Sequence, residues 1–198
     1  SRGGHLEPFT QVLALVRVSR AGTYLEGVET KEYFSALKSR PNVLVHAQAM
    51  VHLIVSVLGE EDAHPRVYDA LEEALLTLPN ISEAKQDILE GSVLLLTLRE
   101  AGLMPSWQRC GQCRTERPTD AVVLDAAGGG FRCLSCHTSL AGTEFSLAPD
   151  GLKVLRYISQ HPEQALRLSV HQSVAHQMLS SLRWYVGVVL RQTNLSRV

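Results

Sequence analysis

Four cysteines stand in two pairs, Cys110-Gly111-Gln112-Cys113 and Cys133-Leu134-Ser135-Cys136, with 19 residues between the pairs and no cysteine left over. A two-residue spacing turns both sulfurs of a pair toward one ion, and a second pair completes a tetrahedron. Four thiolates fill the coordination sphere and leave no open position at which water could be activated. The spacing therefore predicts a structural zinc ion (Zn2+) rather than a catalytic one. Gly111 and the run Gly128 to Gly130 suit the sharp turns such knuckles need. The segment around them has little visible core, so the metal is expected to supply most of its folding energy. His137 follows directly, as a replacement fourth ligand or as a bystander.

Rival chemistries fit less well. Cys133-Leu-Ser-Cys136-His137 has the spacing of a c-type haem attachment, but that reading leaves the first pair idle. Cys110-Gly-Gln-Cys113 has the spacing of a redox dithiol without the strand-to-helix setting that goes with it. A zinc deaminase would place Pro before its Cys-x-x-Cys, where Arg109 and Arg132 stand. No phosphate-binding loop, dinucleotide fingerprint, nucleophile elbow or His-Glu-x-x-His pair occurs. The chain reads as a binding protein, not an enzyme.

The elements that must hold this centre are mostly helical. Phe9 to Val18 is β-branched and partly alternating, and Thr23 to Val28 follows, which predicts a hairpin across Ser19 to Gly22. Two strands alone are not stable in water, so they must lean on helices or belong to a larger sheet. From Asn42 the period changes. Val43, Ala47, Met50, Val51, Ile54 and Leu58 form one helical stripe, with Asn42 as the expected cap after Pro41 and Gly59 as terminator.

A second helix is expected over about 66–78, with Val67, Leu71, Ala74, Leu75 and Leu78 inward. A third is expected over about 82–101, with capping-box spacing between Asn80 and Glu83. Its Val93-Leu94-Leu95-Leu96-Thr97-Leu98 is apolar on nearly every side and belongs in the middle of a bundle. Gly102 and Pro105 end it. Residues 106–145 lose the helical period and form a small module. Helices resume at Pro149 and again near Leu168, the last carrying Val170, Val174, Met178, Leu182, Val186, Val189 and Leu190. The expected fold is mainly α: a helical bundle with an inserted four-cysteine zinc finger and an N-terminal β remnant.

Nineteen basic residues face twenty acidic ones, so no global positive field draws the chain to nucleic acid. Basic residues cluster only loosely: Arg2, Arg17 and Arg20 with the strands, Lys31, Lys38 and Arg40 beyond them, Arg109, Arg114, Arg117 and Arg132 in the insert, and Arg183, Arg191 and Arg197 late. A β surface with Arg and an aromatic such as Phe9 or Tyr24 suits single-stranded nucleic acid. The eight histidines are scattered and read as surface or satisfied core residues. The longest apolar stretch, Trp184 to Leu190, is far short of the roughly 20 residues a bilayer span needs, so no membrane role is expected. Ser-Arg-Gly-Gly-His lacks the core of a secretory signal, and paired cysteines without one suit a reducing cytoplasm.

The order of these features resembles the RecO-type recombination mediators of bacterial DNA repair. The resemblance runs through His5-Leu6-Glu7-Pro8-Phe9-Thr10, Ala101-Gly102-Leu103-Met104-Pro105, the first cysteine pair, Gly129-Gly130-Phe131-Arg132 with the second pair, and a last helix leading to Ser196-Arg197. It implies a partial OB-type barrel over 1–31, of which the last two of five strands are expected. It also implies a helical domain over 32–105 and 146–198, and a zinc finger over 106–145. It implies zinc ligation by Cys110, Cys113, Cys133 and Cys136, and DNA contacts from Arg2, Arg17, Arg20 and Lys38. The implied activity is non-catalytic: binding of single- and double-stranded DNA, strand annealing, and loading of RecA with RecR onto strands coated by single-stranded-DNA-binding protein (SSB). The implied location is the cytoplasm, at the bacterial nucleoid.

Overall fold

A computed structural model of the chain describes residues 7–58, 62–116, 118–137 and 144–195. Arg2, the His5-Leu6 start, Gly59, Arg117 and the Ser196-Arg197 end lie outside these residues. Strands β1 (Gln11–Ser19) and β2 (Gly22–Glu32) form an antiparallel hairpin that pairs Val18 with Thr23 and Ser19 with Gly22. Ser19 closes the turn: its Oγ accepts from the Ala21 N–H and donates to the Gly22 carbonyl. The first strand starts at Gln11 rather than Phe9. Phe9 has a left-handed backbone (φ 52°) and packs against the helices instead. The hairpin leans on the helices at its base, where Gln11 Nε2 donates to Tyr68 Oη over 2.9 Å and Lys38 Nζ to Thr10 Oγ1 over 2.8 Å. Farther out, Leu13, Leu15, Val16 and Val18 are all more than half exposed.

Among the described residues, six α-helices follow: α1 (Ser35–Lys38), α2 (Pro41–Val57), α3 (Pro65–Thr77), α4 (Glu83–Glu100), α5 (Pro149–Gln160) and α6 (Gln172–Leu195). Three of them, α2, α3 and α5, open with proline, which tolerates the first turn because no partner awaits its missing N–H. This corrects the expected cap of α2. Pro41 is already helical, the cap position is Arg40, and Asn42 lies inside. The capping box at α4 is also corrected. Ser82 holds the cap position without a side-chain bond, and Asn80 turns back to donate to the Leu76 carbonyl. At the far end of α4, Gly102 (φ 70°) takes the left-handed turn, while Leu103 N–H reaches Leu98 O and Gly102 N–H reaches Arg99 O. That pair of hydrogen bonds is a Schellman stop.

Helix α4 is the axis of the bundle, packing against α2, α3, α5 and α6 as its all-round apolarity predicts. Val93 faces a cluster with α1–α3 (Leu37, Met50, Ala74) and Leu78 just past α3, while Ile88, Leu94, Leu95 and Leu98 face α5, α6 and the insert. Helix α6 starts at Gln172 rather than near Leu168, because a 3-10 turn (Pro162–Arg167) ends there and Leu168 is extended.

The insert is a three-stranded antiparallel sheet in the order β4-β3-β5, built from β3 (Val122–Asp125), β4 (Gly130–Cys133) and β5 (Ser146–Leu147). Its Trp107, Val122, Leu124, Phe131 and Leu147 are buried in the same cluster as the helices. The expectation that the insert has little core is therefore corrected, since it shares the core of the bundle. Apolar burial against the bundle holds it too. No helix among the described residues is long and apolar enough to cross a membrane.

Candidate metal centre

The first knuckle hangs from Trp107, which is buried and meets Tyr185 edge-on at 5.9 Å. Arg156 of α5 fastens it, donating Nε to the Trp107 carbonyl at 2.6 Å and Nη2 to that of Gln108 at 3.1 Å, with its guanidinium over the Phe131 ring. Cys110 N–H bonds Thr115 O, and Arg114, at φ 64°, turns its N–H back to Cys110 O. The second knuckle is the end of β4 followed by a 3-10 turn, Leu134–Cys136. Gly111 N–H to Phe131 O, at 2.9 Å, ties one knuckle to the other. Gly130 is needed where the two halves touch. A Cβ there would stand 2.6 Å from the Ser106 carbonyl oxygen, inside any tolerable contact.

The result is convergence. Sγ atoms of Cys110, Cys113, Cys133 and Cys136 all lie within 4.8 Å of one another, and Cys113 and Cys133 are 3.8 Å apart. A tetrahedron with metal–sulfur bonds of about 2.3 Å has sulfur–sulfur edges of roughly 3.8 Å, so the four fit one divalent ion. Cys110 Sγ accepts the N–H groups of Gln112 (3.4 Å) and Cys133 (3.3 Å), the donors a thiolate needs once it carries charge. His137 is not part of the set; its Nε2 lies 2.7 Å from Glu144 Oε2.

Without a cation the thiols oppose one another. Burial raises the Cys110 pKa, but backbone N–H groups at Cys133, Cys113 and Gln112 outweigh it and bring it to about 6. Burial, together with the thiols of Cys110 and Cys113, pushes Cys133 up to about 12. The neighbouring Cys113 thiol, then burial, raises Cys136. One negative charge forms easily and the next ones are resisted, a conflict that a divalent cation resolves. Four converging sulfur donors make this a site able to chelate a metal ion.

Of the residues expected to touch DNA, Arg2 lies outside the described residues and the other three lie within them. Arg17 Nε sits 2.7 Å from Glu26 Oε1 across the hairpin. Lys38 is held by Thr10, by Glu7 at 3.9 Å and over the Tyr33 ring. Arg20 is at the exposed hairpin turn. Of the two aromatics, Tyr24 is half exposed and Phe9 belongs to the helical cluster.

Sequence reasoning missed a charged seam inside the bundle. Glu90 of α4 is fully buried and accepts Arg183 Nε (2.7 Å) and Nη2 (2.6 Å) from α6, with His46 Nδ1 of α2 at 2.7 Å. One turn earlier, Asp87 accepts from Gln172 Nε2 at 3.0 Å and lies 3.8 Å from His176. Arg183 is thus a seam residue rather than one of a loose group of late cations, and His46 is a satisfied core histidine. The available signal was two acids three apart, Asp87 and Glu90, running straight into the apolar stretch Val93 to Leu98.

The sequence profile described as "Recombination protein O C terminal" matches residues 39–197. A protein of Dehalococcoides mccartyi named DNA repair protein RecO is 23% identical over 96% of this chain and 74% of its own length. Proteins of the same name from Maridesulfovibrio salexigens (32% identical, 73% of this chain) and Syntrophotalea carbinolica (33%, 70%) are matched over 59% and 54% of their lengths. This chain thus spans little more than half of those two relatives. Its helical bundle, the paired cysteines and a profile match over most of its length agree: the chain belongs to the RecO family.

Proposed function

We propose that this chain serves as a non-catalytic recombination mediator in DNA repair. In this role it binds single- and double-stranded DNA, anneals complementary strands and, with RecR, helps load RecA onto SSB-coated DNA in the bacterial cytoplasm, at the nucleoid. The observation that carries this is the family match across residues 39–197. The proposed organisation is a partial OB unit over 1–31, a helical domain over 32–105 and 146–198, and a zinc finger over 106–145. Cys110, Cys113, Cys133 and Cys136 would hold Zn2+, which when bound neutralises the thiolates and locks the two knuckles together. Arg2, Arg17, Arg20 and Lys38 are the proposed DNA contacts.

Binding should weaken linearly in log salt, and Arg20→Ala should flatten the slope by about one unit if it loses one phosphate contact. Because Glu26 occupies Arg17, Glu26→Gln should tighten DNA binding and Arg17→Ala should weaken it. Salt-independent binding, or slopes unchanged in every variant, refutes the DNA reading. A second reading, a zinc-braced module that binds proteins and not DNA, draws support from the carboxylates already on Arg17 and Lys38 and from the net charge of −1. Partner capture that persists after nuclease treatment, with no DNA shift, would favour it.

A further inference from the structure

The four sulfurs are unequal in their access to solvent. Cys110 is fully buried and Cys133 is 7% exposed, both within the large core cluster. Cys113 is exposed and Cys136 half-buried. Around these two the surface is open: Gly111, Gln112, Arg114, Leu134 and Ser135 are all exposed. Cys113 ends a turn and Cys136 ends a three-residue 3-10 turn, whereas Cys133 is fixed in β4 opposite Val122 with its N–H on Cys110. The outer two can therefore be reached by a small oxidant, and a gap of at most 4.8 Å between their sulfurs, carried on turns rather than strands, is what must close to the roughly 2 Å of a disulfide.

We propose that Cys113 and Cys136 form an oxidation-sensitive rim on this centre, which a two-electron oxidant of the peroxide class converts into a disulfide with loss of the metal. The proposal rests on the reading that the site carries zinc. In the first step the Cys113 thiolate attacks peroxide; the O–O bond breaks, a sulfur–oxygen bond forms, and hydroxide leaves. The Cys136 thiolate then attacks the sulfenic sulfur; the sulfur–sulfur bond forms and a second hydroxide departs. Two sulfurs lose two electrons in total, both peroxide oxygens are reduced, and zinc leaves unchanged as a divalent ion.

The buried pair is what makes the change reversible. Cys110 and Cys133 are screened from further oxidation, and Trp107, Leu124, Phe131 and Leu147 keep the insert docked while two ligands are missing. Reduction would then find the site almost assembled.

The test uses the whole chain, with zinc content measured before any oxidant. Hydrogen peroxide is added, released zinc is read with a chromogenic chelator, and free thiols are alkylated before peptide mass spectrometry. The expected result is one zinc released per Cys113–Cys136 disulfide, with Cys110 and Cys133 recovered as alkylated thiols. Helical circular dichroism should be unchanged, and thiol reductant plus zinc should restore the metal. A first disulfide that includes Cys110 or Cys133, or oxidation with zinc retained, overturns the proposal. A metal-free protein that still forms the Cys113–Cys136 bond refutes the zinc reading and leaves the rim intact. In Cys136→Ser, Cys113 should be trapped as a sulfenic acid by dimedone; a disulfide to Cys133 in that variant also overturns the proposal.

Discussion

Replacing Arg183 by Met tests the seam that joins α6 to α4. Glu90 is shut off from solvent, and Arg183 supplies two of its three short donors, leaving only His46 after the substitution. Removing one partner of a buried pair typically costs about 3–5 kcal/mol, because the other charge stays behind uncompensated. The Arg183 side chain is 38% exposed, so water can enter where it was, and about 3 kcal/mol is the figure to expect. For a chain of this size that lowers Tm by roughly 6–12 °C. Urea unfolding followed by circular dichroism at 222 nm gives the number directly. The double variant Arg183→Met with Glu90→Leu should recover most of the loss, since an apolar pair owes no desolvation. If Arg183→Met costs under about 1 kcal/mol, or the double variant is as damaged as the sum of its parts, the buried-charge reasoning is wrong.

Four further outcomes rest on the same structure. Burial raises the Asp87 pKa above its usual carboxylate value, against the attraction of His46 and His176, so its ionised form is disfavoured in the fold. Ionised Asp87 therefore costs stability at neutral pH, and Asp87→Asn should raise Tm there, with the gain shrinking as pH falls through the raised value toward the ordinary carboxylate range. Gly130→Ala should cost about 1–3 kcal/mol through the clash with Ser106 O and should speed zinc loss to a chelator. Acidification should expel metal as the thiolates take up protons, and Cys133→Ser with Cys136→Ser should abolish zinc by elemental analysis. Helical circular dichroism should survive both treatments, because the insert shares the bundle's core.

Helices α2 to α6 were legible because their apolar residues repeat over three or more turns, and the cysteine quartet was legible because type and spacing alone define it. Caps were not, because Pro41 and Ser82 settle them through backbone geometry and no side-chain bond is made. The insert's share of the core hid in strands of four, four and two residues, too short to show a period. The seam hid for a different reason. Glu90 finds His46 at 44 positions and Arg183 at 93, and no local pattern encodes such separations.

The bare hairpin has a practical consequence. Leu13, Leu15, Val16 and Val18 form an oily ribbon standing away from the bundle, and ribbons of that kind adhere to one another. Handling of this chain in solution would then be governed by its strands rather than its helices: turbidity rising with concentration and warmth, well below the melting of the bundle. A single lysine at position 15 would keep the sample clear without shifting the helical melt.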